Sequence, residues 1–213
     1  MELTGPADVP LDEPLQLRVR GAGPDARITW RARVRDDDGR VWRAVADAAG
    51  ALDAAWEPAK TPASPHAALS SLRPVRVDVR AETRDGRSAA RTITRHLLAG
   101  GVKVRRWRGE VTASLFLPAE PAAAPVLLDD PDALLAAALL ASRGILSLVL
   151  KDGDPEAAAA QLEAVPGGAG VRMLGNVPVP PGVPGETNPA AWDALLADLG
   201  ARPRQAAAGD GSA

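Results

Sequence analysis

Hydrophobic and polar residues alternate along several stretches in the first half of the chain. Within 28–35 and 75–81, apolar residues take every second position, and mostly charged residues lie between them. A period of two predicts β-strands that bury one face and expose the other. The same pattern predicts strands at 15–20, 41–42, 89–98, 102–104 and 111–117. We therefore expect residues 1–118 to form a β-sandwich of two antiparallel sheets packed face to face.

A proline-rich stretch separates the early strands from the later ones. Pro58, Pro62 and Pro65 lie close together, and proline donates no ladder hydrogen bond, so we predict a surface crossover over 58–66. His66 is predicted to be exposed and inert, because a general base needs a partner within reach. His96 is predicted to play a structural role in a strand.

The period changes after residue 118. Continuous apolar runs at 125–128, 145–150 and 171–174 predict buried strands, and helix-start signals lie between and after them. Asp130-Pro131 predicts a helix from 132 to 143, Asp154-Pro155 a helix to about 165, and Asn188-Pro189 a helix to 199. This order predicts a small α/β unit over 119–200 with a short, three-stranded parallel sheet. Residues 201–213 are predicted to be a disordered tail.

Composition and charge exclude several classes of protein. The chain has 213 residues, 46% of them hydrophobic, and a net charge of −2, which argues against disorder and against a strongly basic nucleic-acid binder. It contains no cysteine, which excludes disulfides, thiolate metal sites and a cysteine nucleophile. No run of about 18 apolar residues predicts a membrane span. With two separated histidines we predict no metal site and no cofactor, and the N-terminus lacks a secretory signal, so we predict a cytoplasmic protein.

Four segments of the chain resemble a known family in the same order. The stretch Ile28-Thr29-Trp30-Arg31-Ala32-Arg33-Val34, with the residues up to Trp42, resembles the start of the acyl-CoA thioesterase and bile acid-CoA:amino acid N-acyltransferase family. Segments 69–74, 109–118 and 139–144 resemble later parts of that family. The resemblance implies an immunoglobulin-like N-terminal domain followed by an α/β-hydrolase domain, which would be truncated here.

The residues at the family's catalytic positions differ. The family carries a serine or cysteine nucleophile on a sharp strand-to-helix elbow, and the matching position after Leu174 is Val177, with no G-x-S-x-G in the chain. Its oxyanion loop corresponds to a stretch with Asp129, Asp130 and Asp132, and Pro131 there lacks an N–H group. The family's acid and histidine lie in later segments that find no match. The resemblance thus implies that thioester hydrolysis has been lost.

Polar residues follow the three predicted parallel strands, where ligands bind in open α/β sheets. Asp129 and Asp130 follow the first strand, Lys151 the second and Asn176 the third. These four residues are the candidate binding cleft. In the simpler interpretation Asp130 and Asp154 cap helices and Lys151 starts a turn.

Two functions therefore stay open. One is a non-catalytic binding or scaffolding protein, and the other is an enzyme with relocated chemistry that acts on an acyl thioester or a natural-product intermediate. A second copy of the chain, another protein, or a small-molecule ligand such as an acyl thioester is the expected partner. Nucleic acid and membrane are not expected partners.

Two charged patterns have ordinary explanations. The run 36–38 is three aspartates, but it lacks the later bidentate glutamate of a calcium loop and is predicted to be a hairpin turn. The arginines that alternate along 31–35 and 76–80 would suit an acidic partner or a CoA phosphate. The simpler prediction is a solvated strand face with aspartates across from the arginines.

Overall fold

The computed structural model describes residues 1–60, 65–185 and 187–204. The described chain is rich in β-structure, with three sheets and three α-helices. Its contacts divide it into two compact units. Of the described residues, unit 1 combines those within 1–96 with 181–185, Thr187 and Arg204, and unit 2 combines Leu97–Pro180 with Asn188–Pro203. No helix among the described residues is long and apolar enough to cross a membrane.

Unit 1 is built on an antiparallel six-stranded sheet with one parallel edge. Its strands are β1 (Glu2–Thr4), β2 (Asp8–Pro10), β3 (Arg18–Arg20), β4 (Ile28–Arg35), β5 (Val41–Ala46), β6 (Trp56–Pro58), β7 (Val75–Thr83) and β8 (Ser88–His96), with a 3-10 helix at Ala49–Ala54. The six-stranded sheet has the order β2-β8-β7-β4-β5-β6, in which β2 runs parallel to β8, and β1 pairs with β3 in a separate sheet. The alternation seen in the sequence is the burial pattern: Trp30, Ala32 and Val34 are buried and the arginines between them are exposed.

The long strands of unit 1 lie where the alternation predicts them, and the short ones differ. Only Arg18–Arg20 of the predicted strand 15–20 is a strand, and β1, β2 and β6 were not predicted. Each of these three strands has only three residues, too few for a period of two to stand out. Pro58 ends β6 at the edge of the sheet, where a missing N–H costs no ladder hydrogen bond. Residues 61–64 of the predicted crossover lie outside the described residues.

The aspartate run after β4 is a structural turn, as predicted. Asp36 is buried, and its carboxylate accepts hydrogen bonds from the Arg40 N–H at 2.8 Å and the Trp42 indole N–H at 3.0 Å. The Asp37 carboxylate accepts from both the N–H and the hydroxyl of Ser71 at 2.8 Å. These donors occupy the carboxylate oxygens that a cation would need.

Residues 181–185, here called the return segment, belong to unit 1 although they lie between the two segments of unit 2 in the chain. Pro181–Pro184 are buried. The Ala67 N–H donates to the Pro184 carbonyl at 2.8 Å, and His66 forms an isolated antiparallel bridge with Gly185. His66 is therefore half-buried rather than exposed. The prediction of an exposed His66 is wrong because a segment more than 100 residues away covers it.

Unit 2 contains a mixed five-stranded sheet. Its elements are β9 (Lys103–Trp107), β10 (Thr112–Leu117), β11 (Ala123–Leu128), α1 (Leu134–Ser142), β12 (Ile145–Asp152), α2 (Pro155–Glu163), β13 (Arg172–Leu174) and α3 (Pro189–Asp198). The order is β13-β11-β12-β10-β9, where β11, β12 and β13 are parallel and the β10 pairings are antiparallel. The three parallel strands agree with the prediction.

The prediction that β9 and β10 belong to the N-terminal sandwich is wrong. They pair with each other and with β12, so the predicted three-stranded parallel sheet is a five-stranded mixed one. β10 lies between two strands, and Ala113–Phe116 are buried on both of its faces, which is the burial of a central strand. The contact division accordingly falls at residues 96–97, ahead of the predicted boundary at 118.

The helices of unit 2 cover its sheet. Ala158 and Leu162 of α2 pack in a cluster with Leu127 of β11 and Leu146 and Leu148 of β12. The other crossover helix, α1, packs against β12 and β10. As predicted, Asp154 caps α2 by accepting from Ala157 N at 3.0 Å, and Asn188 caps α3 by accepting from Ala191 N at 3.0 Å.

The predicted cap of α1 is wrong. The helix begins at Leu134, and its N-cap residue Ala133 makes no side-chain cap bond. The Asp130 carboxylate accepts instead from Asp132 N at 2.9 Å, and the Asp130 carbonyl accepts from Ala133 N at 3.0 Å. These bonds close a turn before the helix starts. At the other end, Gly144 follows α1 with φ +93°, as the sequence predicts.

The residues after α3 are partly described. The carbonyls of Arg202 and Pro203 accept hydrogen bonds from the buried Arg143 at 3.1 and 3.0 Å. The start of the predicted tail is thus held by unit 2, and residues 205–213 of that prediction lie outside the described residues.

Candidate functional site

The candidate residues lie at one edge of the unit 2 sheet. In the register of the parallel strands, Leu128 of β11 is paired with Val149 of β12 and with Leu174 of β13. Asp129 directly follows Leu128, and Lys151 and Asn176 each lie two residues beyond the paired position on their strand. All four candidate residues therefore sit at the carboxyl ends of the strands. Asp130 is half-buried, and the other three are exposed.

The strand order gives this edge a topological switch point, where a crevice is expected. The first crossover runs from β11 to β12, and the second runs from β12 back past β11 to β13. Because both crossovers follow the right-handed rule, α1 and α2 cover opposite faces. The loops after β11 and β12 then lead to opposite faces of the sheet. In open α/β sheets, ligands bind at such a point, outside the carboxyl ends of the strands. Asp129, Asp130 and Lys151 flank this point, and Asn176 lies on the far side of β11.

The side chains at the crevice differ in what they already do. The Asp130 carboxylate closes the turn before α1, and the Asp154 carboxylate caps α2. Within the described part of the chain, the side chains of Asp129, Lys151 and Asn176 make no hydrogen bond or ion pair. A carboxylate, an ammonium group and an amide are thus available to a ligand at this edge.

Most backbone N–H groups of the loop after β11 already donate hydrogen bonds within unit 2. Asp129 N donates to the Leu174 carbonyl at 3.2 Å, Asp132 N to the Asp130 carboxylate, and Ala133 N to the Asp130 carbonyl. Pro131 has no N–H group. Oxyanion stabilisation needs N–H donors aimed at the reacting oxygen, and these three donors already have acceptors in the loop or in β13.

The chain that follows β13 does not turn directly into a helix. β13 ends at Leu174, Gly175–Asn176 follow without regular structure, and the next helix, α3, begins only at Pro189. A nucleophile elbow is a tight turn between a strand and the helix that follows it at once. Val177, the residue at the resembling position, is half-buried on this irregular stretch.

A separate open groove lies in unit 1 and was not predicted from the sequence. Its volume is about 1640 Å³, and it runs beside β3, β4 and the end of β7. Its lining combines buried apolar residues with charged ones of both signs. The buried ones include Leu15, Leu17 and Trp30, and the charged ones are Arg18, Arg27, Arg31, Arg84, Asp47 and Glu82. None of the four candidate residues at the strand ends lines it. No local motif marks this groove, because its walls come from segments up to about 70 residues apart.

The groove carries one perturbed carboxylate. The Arg31 side chain donates to Glu82 at 2.9 Å, and this hydrogen bond, with the charges of Arg80 and Arg31, holds the pKa of Glu82 below its ordinary value of 4.5. Nearby in the turn after β7, hydrogen bonds from Thr83 and Arg87 lower the pKa of Asp85 below 3.8. Both carboxylates are therefore firmly ionised at neutral pH.

The two histidines make separate contacts within unit 1. The His96 ring nitrogen Nε2 lies 3.0 Å from the Asp8 carboxylate, which joins β8 to β2, in agreement with the structural role predicted for it. Among the described residues, no group of three histidine, aspartate or glutamate side chains is arranged to hold a metal ion.

In sequence, the chain is similar to several rodent enzymes. It is 36% identical to acyl-coenzyme A thioesterase 1 of Rattus norvegicus over 147 residues, which cover 55% of this chain and 35% of that protein. It is 35% identical to mitochondrial acyl-coenzyme A thioesterase 2 of the same species and 34% identical to the peroxisomal succinyl-coenzyme A thioesterase of Mus musculus, again over 55% of this chain and over 32% and 35% of those proteins. The chain thus covers about a third of the length of these relatives. No protein-family model matches it.

Proposed function

From the relationship between this chain and the acyl-CoA thioesterases, which holds over 55% of its length, we propose that the protein is a non-catalytic relative that binds a ligand or a partner protein. In this proposal the relatives' N-terminal region and the start of their catalytic region are kept. The crevice at the strand ends, with Asp129, Asp130, Lys151 and Asn176, serves as a binding site.

The loop after β11 carries this proposal. In the resemblance, this loop supplies donors to the oxyanion hole, but the N–H groups at 129, 132 and 133 are bonded within unit 2 and Pro131 has none, so among the described contacts only the Asp130 N–H is left. Removal of one oxyanion donor already lowers kcat by about 10²–10³. The carboxylates of Asp129 and Asp130 add repulsion toward a developing negative charge. The absence of a helix directly after β13 supports the same conclusion, because no elbow presents a nucleophile there.

A second function has one observation in its favour. Asp129 and Lys151 lie on either side of the crevice between β11 and β12, and neither has a partner among the described residues. A carboxylate and an ammonium group at such a point can serve acid–base chemistry on a bound acyl thioester. This alternative keeps the ligand class and relocates the catalytic groups.

Thiol release from a panel of acyl-CoA compounds distinguishes the two functions. The chain contains no cysteine, so it adds no background to a thiol reagent. We expect release at the rate of the buffer blank, with binding of acyl-CoA measured in parallel by calorimetry. Release above the blank that disappears in Asp129→Asn, but persists in Glu163→Gln at the exposed end of α2, would establish relocated catalysis and overturn the proposal.

The finer assignments of fold and location belong to the same proposal. We assign unit 1 to the immunoglobulin-like sandwiches, supported by its mainly antiparallel sheet and the resemblance over 28–42. Unit 2 is assigned as an α/β-hydrolase-like domain, supported by parallel strands at the positions of the elbow and the oxyanion loop. A cytoplasmic location is supported by the absence of cysteine, and imaging of a fluorescent fusion tests it.

A further inference from the structure

One face of the six-stranded sheet in unit 1 carries an unusual density of arginine. The exposed side chains of β4, β5 and β7 on this face include six arginines, here called the arginine face: Arg31, Arg33, Arg35, Arg43, Arg76 and Arg80. The opposite face of the same strands is buried and apolar. The arginine face is therefore the outer surface of the sheet.

The strand register places arginines directly opposite each other. Arg31 of β4 is paired with Arg80 of β7, and Arg33 of β4 is paired with Arg43 of β5. Like charges at directly opposite positions of an antiparallel pair are destabilising. The arginine face thus contains two pairings that the sheet alone does not favour.

Among the described residues, only the first of these two pairings is bridged by an ion pair. Glu82 bridges the first pair, with 2.9 Å from its carboxylate oxygens to Nε of both Arg31 and Arg80. In the described part of the chain, Arg33 and Arg43 have no ion pair. A carboxylate lies across from each arginine on its other side, Asp78 from Arg33 and Glu57 from Arg43, but neither forms an ion pair with them. Asp78 accepts instead from the Thr92 hydroxyl at 2.7 Å. The guanidinium groups of Arg33 and Arg43 therefore stay open to an external anion.

We propose that the arginine face is a docking surface for a partner protein whose contact region is rich in aspartate and glutamate, with Arg33 and Arg43 at its centre. Guanidinium groups form bidentate hydrogen bonds with carboxylates, and such charge-assisted pairs are stronger than neutral ones. Carboxylates from the partner would relieve the repulsion between the two opposed arginines. This surface is separate from the strand ends of unit 2 and does not depend on thioester chemistry.

The composition of the face favours protein carboxylates over nucleic acid or lipid. Glu57, Asp78 and Glu82 lie among the arginines and would repel a continuous array of phosphates. The tryptophans of β4, β5 and β6 point to the buried face, so no aromatic ring is available here to stack a base. Val45, opposite Arg31 in the register, is 54% exposed and adds an apolar contact of the kind found in protein interfaces.

Fluorescence anisotropy with a labelled polyglutamate peptide tests the proposal on the full chain. We expect salt-dependent binding that Arg33→Gln/Arg43→Gln weakens about tenfold. The matched control is Arg105→Gln/Arg106→Gln on the exposed strand β9, which removes the same charge from unit 2 and is expected to change binding less than about twofold. Equal losses in both variants would mean general charge attraction and would overturn the proposal. So would an absence of peptide binding, or tighter binding to single-stranded DNA or to anionic vesicles.

A thermal melt separates docking from folding. Because Arg33 and Arg43 make no ion pair in the described part of the chain, Arg33→Gln/Arg43→Gln is expected to melt at about the temperature of the unmodified chain. A clearly lower melting temperature of this double variant would show that the pair serves the fold and would contradict a docking role.

Discussion

At the scale of single residues, the bridging carboxylate Glu82 gives a pH-dependent test. Its folded pKa lies below 4.5, mainly because Arg31 donates a hydrogen bond to it. A carboxylate with a lowered pKa stabilises the fold above its unfolded pKa, and this contribution is lost as the pH falls through the folded pKa. We therefore expect the protein to lose this contribution below pH 4.5 and to keep it at neutral pH.

The substitution Arg31→Gln isolates the cause of that shift. Without the guanidinium group, the pKa of Glu82 is expected to rise toward 4.5, while Arg80 keeps part of the effect. A carbon-detected NMR titration of the glutamate carboxyl measures it directly. Arg84→Gln is the control, because Arg84 lines the same groove, and it should leave the pKa of Glu82 unchanged. If both variants raise the pKa of Glu82 equally, the combined charge of the arginines that line the groove sets this pKa, and the Arg31 hydrogen bond does not.

Residue roles that depend on immediate neighbours were predictable, and those that depend on distant ones were not. Asp154 and Asn188 cap helices because a cap bonds an N–H three residues along, which the sequence displays. Asp130 looks like the same cap, but its turn closes on Asp132 and Ala133 before α1 begins. Nothing within a few residues of Asp36 or His66 reveals that residues 68 and 185 lie beside them.

At the scale of elements, the return segment gives a test of close packing. Gly182 has φ +81°, and a Cβ there would overlap the Leu11 carbonyl and lie 2.8 Å from the Arg95 guanidinium. Arg95 is itself buried and donates to the carbonyls of Leu11 and Glu13. These hydrogen bonds hold the Leu11 carbonyl and the Arg95 guanidinium in place. We expect Gly182→Ala to cost about 2–4 kcal/mol of unfolding free energy, from overpacking plus the left-handed backbone.

The matched control separates the clash from the backbone conformation. Gly23 has φ +92°, but a Cβ there would meet nothing within 4 Å. Gly23→Ala should therefore cost only the backbone part, about 1–2 kcal/mol. Urea denaturation of both variants measures the two free energies. Equal losses would show that the return segment is not tightly packed against Leu11 and Arg95.

Sheet membership is the element property that the sequence did not determine. The alternation predicts where β4, β5, β7, β8 and β10 lie, because burial on one face leaves a local period. It does not state which strands pair, because β10 finds its partner β12 about 30 residues away. The candidate site residues could be predicted because turn and helix-cap residues mark in the sequence where each strand ends. The side-by-side order of β13, β11 and β12 came only from the structure.

At the scale of the whole molecule, unit 1 is assembled from separated parts of the chain. Its sheet lies within residues 1–96, yet the return segment contributes buried residues and pairs with His66 and Ala67. A fragment of residues 1–96 therefore lacks part of the unit's own core. We expect it to fold less stably than the same residues do in the full chain, because the apolar surface covered by Pro181–Pro184 becomes exposed.

Hydrogen exchange locates that loss. Leu11 N–H donates to the His96 carbonyl, and Ala67 N–H donates to the Pro184 carbonyl, so one amide reports the β2–β8 edge and the other reports the return segment itself. In the fragment, Ala67 should exchange freely and Leu11 faster than in the full chain. Amides at the centre of β4 and β7, far from the return segment in the strand order, are the internal reference and should keep most of their protection. Unchanged protection at Leu11 would mean that residues 1–96 fold as a complete unit and that the return segment only rests on it.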